Sequence, residues 1–172
     1  MRVAITGRPG VGKTTLIERV LNQLSISSGG MLTKEIRKCG HRVGFSIIAI
    51  DTKEEGILAH LHQTKGPRMG EYTVNLDDLE GVGISAIRRA VQERELVVID
   101  ELAPMELSSP AFIPAVEEAL ARGRNLIIST HAHLDHPLIH RIRRELTLYR
   151  VKMGNRDQLV KTIVDAFDSS SG

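Results

Sequence analysis

The sequence predicts an α/β fold built on a mainly parallel sheet with helices on both faces. Three observations carry that prediction. Segments of strand pattern alternate with segments of helical pattern along most of the chain. The strand segments "LVVID" and "NLIIST" are apolar throughout rather than alternating, as strands buried on both faces must be. The first strand pattern also passes through a glycine-rich turn directly into the first helical pattern, the entry expected of a phosphate-binding α/β domain.

Each element follows from local chemistry. "RVAIT" is a short β-branched and apolar run that stops at Gly7, and "TTLIERVLNQL" then sets Leu16, Ile17, Val20, Leu21 and Leu24 on one helical face. "SISSGG" reads as a loop from its Ser and Gly content. "MLTKEI" and "VGFSIIAID" read as two strands of a hairpin turning around Gly40. Residues 63–71, "QTKGPRMGE", form a basic glycine-containing loop, expected to be the most mobile segment, ahead of a short strand at "YTVNL". From Leu79 to Arg94, Val82, Ile84, Ile87, Ala90 and Val91 recur at helical spacing and lead into "LVVID".

In "SSPAFIPAVEEALARG", Ser before Pro marks a helix start and Gly123 a stop, with Pro114 expected to end or kink the first turn. "NLIIST" follows as a buried strand. Pro137 opens a helix to about Arg144, "LTLYRV" is a further strand, and "NRDQLVKTIVDAF" is a closing amphipathic helix with Asn155 as its cap. Residues 1–168 are expected to form one domain, with 169–172 a frayed tail.

Composition narrows the function. At 172 residues and 19.0 kDa the chain is long enough for one substantial core. Its 23 Lys and Arg against 21 Asp and Glu leave a charge of +2, and it has no Trp, so near-neutral charge and few aromatics weigh against nucleic acid as a partner. A single cysteine, Cys39, excludes an internal disulfide and suits a reducing compartment. No apolar run approaches the roughly 18 residues of a transmembrane helix, and the N-terminal apolar stretch is too short for a signal peptide. A cytoplasmic protein that does not engage membranes is expected. Oligomeric state is not encoded in any pattern we can read.

Gly7-Arg8-Pro9-Gly10-Val11-Gly12-Lys13-Thr14 satisfies G-x-x-x-x-G-K-[ST] between a strand and a helix, the context that a Walker A loop requires. Glycines let backbone N–H groups turn inward on phosphate oxygens at the positive end of the following helix. Lys13 is expected on the β and γ oxygens, Thr14 on Mg²⁺, and Thr15 toward the α-phosphate. The strand 96–99 ends in Asp100-Glu101, the Walker B position, with Asp100 expected to hold Mg²⁺ and Glu101 to orient or deprotonate the attacking water. Arg8 is the first choice for a cation on the γ-phosphate, with Arg37, Arg42 and Arg68 as alternatives.

"STHAHLDH" at 129–136 carries His131, His133, Asp135 and His136 at a spacing used by two-zinc hydrolases. Its context is wrong, because the antiparallel sandwich of such enzymes is missing. A strand end beside the Walker B strand instead makes Thr130 or His131 a candidate γ-phosphate sensor, with His133, Asp135 and His136 a loop and helix cap before Pro137.

Nearly end to end, the chain resembles the small P-loop nucleoside triphosphatases of thermophiles, related to the human cancer-related nucleoside triphosphatase. The likeness lies in the Walker A loop, in "GGMLTKEIR" and "GHRVGFSIIAID" with Thr33, Glu35, Arg37, Arg42, Gly44 and Phe45 in place, and in "MGEYTVNLDDLE", "VVIDELAPMEL" and Asn155-Arg156. The resemblance implies a RecA-like, additional-strand, catalytic-glutamate architecture. It also implies slow, Mg²⁺-dependent hydrolysis of ATP, GTP, CTP and UTP to diphosphate and phosphate. Ala103-Pro104 replaces the Gly-Lys usual in that family, so a cation such as Arg8 must replace any role of that lysine, while Glu106 is retained. Two other classes stay open: a nucleotide or small-molecule kinase, which would need an acceptor pocket, and a nucleotide-switched binding module for nucleic acid or protein.

Overall fold

The computed structural model describes residues 1–122 and 124–170. Nine strands among them form one sheet: β1 (Arg2–Gly7), β2 (Ser28–Lys38), β3 (His41–Ala49), β4 (Glu55–His60), β5 (Arg68–Met69), β6 (Tyr72–Val74), β7 (Leu96–Leu102), β8 (Asn125–His131) and β9 (Thr147–Arg150), in the order β5-β6-β4-β3-β2-β7-β8-β1-β9. From β2 to β9 in that order, neighbouring strands are parallel. Beyond β2 the sheet continues antiparallel through β3, β4, β6 and β5. The sheet is therefore mixed: a parallel half carries the glycine-rich loop and Asp100, and an antiparallel half extends it on the β2 side.

Side chains alternate across each parallel strand, and each set meets its own helices. Ala4, Val97, Ile99, Leu126 and Ile128 pack on α3 (Ser85–Glu93), α5 (Phe112–Ala121) and α6 (Pro137–Glu145). Val3, Ile5, Leu96, Val98 and Ile127 pack on α1 (Lys13–Leu21) and α7 (Arg156–Ser169). Burial on both faces explains why these strands read as unbroken apolar runs. Phe112 is fully buried in the first of these cores. Phe112→Ala is expected to cost about 3–5 kcal/mol in urea unfolding, and a loss below about 1 kcal/mol would contradict this packing.

Several local expectations need correction. Ser28, Gly29 and Gly30, read as loop, begin β2. A Cβ on Gly30, whose φ is +108°, would lie 2.0 Å from the Val98 carbonyl oxygen, so this strand glycine answers to a close backbone approach and not to a turn. Strand β4 carried no readable alternation, because "EGILAH" has only three consecutive apolar residues behind a glycine. The helix read from Leu79 starts earlier, at α2 (Leu76–Asp78), because the Asn75 side chain accepts from the Asp78 N–H at 3.1 Å. It continues through a π-helical segment, Leu79–Ile84, into α3.

Pro114 neither ends nor kinks a helix: α5 begins at Phe112, so Pro114 lies in its first turn, where a missing N–H is harmless. The expected stop at Gly123 lies outside the described residues. Asn155 does stand at the start of α7, but its side chain turns back to the Lys152 N–H and the Arg150 carbonyl instead of capping the helix. Of the tail read as frayed, Ser169 closes α7, and the Ser169 and Ser170 hydroxyls donate to Asp165 and Ala166 carbonyls; residues 171–172 lie outside the described residues. The segment read as most mobile is tied at β5, with Arg68 opposite Thr73 and the Val74 N–H on the Pro67 carbonyl at 2.8 Å. Among the described residues no helix is long and apolar enough to cross a membrane.

Candidate nucleotide site

The carboxyl ends of β1, β7 and β8 meet at one sheet edge, and the loop from Gly7 to Gly12 crosses it before α1. Gly12 takes φ +99° at the start of α1, which no side chain caps, so the N–H groups of the first turn are open to an anion. A Cβ on Gly12 would lie 2.4 Å from Arg156 Nη1, so the last helix places a guanidinium directly against the loop. Lys13 is buried, and its Nζ donates to the Gly7 carbonyl at 3.0 Å and the Arg8 carbonyl at 3.5 Å while pairing with Glu101 Oε2 at 3.2 Å.

Asp100 and Glu101 lie where the β7–β8 register shifts between Ile99 and Leu102, and the peptide joining them is cis. Asp100 is buried to 1 % exposure. Thr14 Oγ1 donates to its Oδ2 at 2.6 Å, and Ser129 donates to its other oxygen. Burial pushes the Asp100 carboxyl up to about 6, opposed by the Ser129 and Thr14 hydrogen bonds and reinforced by the nearby Glu101 charge. A hydroxyl and a carboxylate in contact, with an anion that burial disfavours, are the oxygen set and the charge deficit that suit a hard divalent cation.

The raised value has a consequence for stability. The unfolded chain loses this proton near 3.8 and the folded chain near 6, so between those values the fold holds a proton that the unfolded state has released. The stabilisation is full below about pH 4 and is lost as pH rises through about 6, an effect of about 3 kcal/mol. Asp100→Asn is expected to remove this decline; urea titrations at the two ends of the window check it, and an unchanged slope would contradict it.

Not every expected residue faces the same space. A cavity of about 730 Å³ opens at this edge, lined on one side by Pro9, Gly10, Gly12, Lys13, Thr14 and Thr15 and on the other by the β2–β3 hairpin. Glu101 and His131 line it. Burial, then Lys13 and His133, lower the His131 pKa, which favours the neutral ring. Thr130 is fully buried, and its Oγ1 has no partner among the described residues, so of the two candidate sensors it is His131 that faces the cavity. Arg37 and Arg42 also line it, each paired with Glu35, whereas Arg8 and Arg68 are exposed and do not. Val11 lies behind the loop, partly buried against the α1–α7 core.

The histidine run does not converge. His133 packs edge-on to His131 with ring centroids 6.3 Å apart, Asp135 pairs with His140 at 2.6 Å, and His136 Nδ1 accepts from the Leu138 N–H at 3.1 Å as the cap of α6. Among the described residues no three His, Cys, Asp or Glu side chains gather as a metal centre. Pro104, where the resemblance implied a lysine, opens the short helix α4 (Pro104–Leu107), where its fixed φ fits the first helical position. Sequence reasoning missed the Ser129 bond to Asp100 and the contact of Arg156 with Gly12, since both join residues far apart in the chain and only the sheet order brings them together.

Comparison with known proteins agrees with this geometry. Residues 2–164 match the model of a family described as NTPase. Proteins named nucleoside-triphosphatase THEP1 are similar over nearly their whole length: 45 % identity in Methanosarcina acetivorans, covering 97 % of both chains, and 39 % in Methanocaldococcus jannaschii, covering 96 % of both. The crystal structure of THEP1 from Aquifex aeolicus superposes with a TM-score of 0.85 at 31 % identity, covering 96 % of this chain and 98 % of that one. The solution structure of a human cancer-related nucleoside triphosphatase gives 0.79 at 32 %, covering 98 % of both. With a family model spanning almost the whole chain and full-length relatives on the same fold, this protein belongs to the NTPase family.

Proposed function

We infer that the chain hydrolyses nucleoside 5′-triphosphates to diphosphate and phosphate with Mg²⁺, and that it accepts ATP, GTP, CTP and UTP. The observation that carries this reading is the convergence of Lys13 Nζ, the Thr14–Asp100 pair and Glu101 at the mouth of one glycine-rich loop. Nucleoside-triphosphatases among the full-length relatives support it. The insertion of β8 between β1 and β7 supports assignment to the RecA-like, additional-strand type.

The roles follow from charge and reach. The triphosphate lies along the loop, whose N–H groups take its oxygens. Its charge draws Lys13 from Glu101, and the freed Glu101 carboxylate, partly open to the cavity, orients water and accepts its proton. Thr14 and Asp100 would hold Mg²⁺, which would neutralise the phosphate oxygens. In this reading His131, which lines the cavity, donates to the terminal phosphate; burial, which favours its neutral ring, supports the role. Arg8 fits poorly as the cation on that phosphate, because its side chain is exposed and does not line the cavity, whereas Arg37 and Arg42 line it and Arg156 stands against Gly12 of the loop.

Phosphate release from the four triphosphates, with Mg²⁺ and with chelator, tests the reading. Values of kcat/KM within about tenfold of one another are expected, with loss of turnover on chelation. A strong preference for one base would refute the breadth, and turnover in chelator would refute the metal.

A further inference from the structure

Attack by water needs room for one water beside Glu101, but the cavity does not end there. It runs on to an apolar wall of Phe45, Leu58, Met69 and Met105. Glu106 lines the same space at 3 % exposure, and its Oε2 has no hydrogen-bond partner among the described residues. Arg42, which lines the same cavity, is anchored. The Arg42 guanidinium lies 5.0 Å from the Phe45 ring centroid and 5.6 Å from that of Tyr72, with its Nε on the Tyr72 hydroxyl at 2.9 Å and its Nη1 on Glu35 at 3.3 Å. A concave apolar surface with one inward polar group left unmatched is the signature of a small-molecule site.

We propose that this cavity is an acceptor site for a second small molecule, a nucleoside, and that the chain transfers the terminal phosphoryl group of a nucleoside triphosphate to its hydroxyl. A planar heterocycle packs against the apolar wall of Phe45, Leu58, Met69 and Met105, and its polar edge supplies the partner that Glu106 lacks. Burial, then the charges of Glu101 and Asp100, hold Glu106 well above the usual carboxylate range, so it presents an O–H as well as a carbonyl to that edge. The acceptor hydroxyl oxygen forms the new bond to the γ-phosphorus. The bond from that phosphorus to the β–γ bridging oxygen breaks, the diphosphate leaves with the electron pair, and the hydroxyl proton passes to the Glu101 carboxylate. The proposal rests on the triphosphate-binding site described above, and water takes the place of the hydroxyl when no nucleoside is bound.

The test is Mg·ATP labelled at the terminal phosphate, incubated with the full chain and adenosine, guanosine, cytidine or uridine in turn. Label is read separately in inorganic phosphate, nucleoside monophosphate and remaining ATP. Transfer of label to a nucleoside supports the proposal, provided Glu106→Leu, which removes both the donor and the acceptor, lowers the ratio of nucleoside monophosphate to inorganic phosphate about tenfold or more. That ratio does not depend on how much of the variant is folded. Label found only in inorganic phosphate with every nucleoside overturns the acceptor site and leaves hydrolysis standing. Transfer with an unchanged ratio in Glu106→Leu overturns the placement in this cavity. Label that never leaves ATP overturns both this proposal and the hydrolysis reading.

Discussion

Lys13→Ala is expected to lower kcat for triphosphate hydrolysis by about 10²–10³-fold or more, while leaving the fold in place. The lysine is the one ammonium held inside the loop, anchored by the Gly7 and Arg8 carbonyls, where charge on the terminal phosphate grows as its bond loosens. No other side chain of the loop can take over, because Arg8 projects to solvent. The stability cost is expected to stay near 1 kcal/mol, since Glu101, the partner left behind, is 21 % exposed and can be solvated. Steady-state kinetics with a parallel urea titration separate the two effects. Near-normal turnover in a folded Lys13→Ala protein would contradict the site.

The second large effect is expected at the partner carboxylate. Glu101→Gln keeps the shape of the side chain and removes the proposed base, so kcat is expected to fall by about 10²–10⁴-fold. Nucleotide affinity is expected to hold or improve, because Lys13 no longer has a carboxylate at 3.2 Å competing for it. Equilibrium titration with ATP alongside turnover separates these outcomes. A variant with unchanged kcat would remove Glu101 from the chemistry. One that lost binding with kcat unchanged would reassign it to substrate positioning.

The machinery that was legible in the sequence is local. The glycine-rich loop lies within eight consecutive residues, and Asp100-Glu101 follow one buried strand, so motif and context could be read together. The central strands β7 and β8 were equally legible, since burial on both faces leaves an apolar run. What failed was whatever depends on a neighbour supplied from elsewhere. Gly29 and Gly30 resemble a loop until α3 and the Val98 carbonyl are brought against them. Asp100's raised pKa needs the burial and the Ser129 partner that the β7–β8 pairing provides. The histidine run shows the reverse error, a dense local pattern whose members the fold assigns to a ring contact, an ion pair and a helix cap.

Glu106 belongs to the same lesson. In the sequence it is one acidic residue in a short polar-apolar stretch, where bracing the site and pairing with a neighbour fit equally. In the fold it is buried within α4 and lines the cavity, with one oxygen unmatched among the described residues. Neither fact has a signature in residue type or spacing.

The central claim is that water, activated beside Lys13 and Glu101, attacks the terminal phosphorus of the bound triphosphate. Hydrolysis of ATP in heavy-oxygen water, followed by mass analysis of both products, tests it most directly. Heavy oxygen in the released inorganic phosphate and none in the diphosphate is the result predicted. Heavy oxygen in the diphosphate, or release of pyrophosphate and a monophosphate, would contradict it.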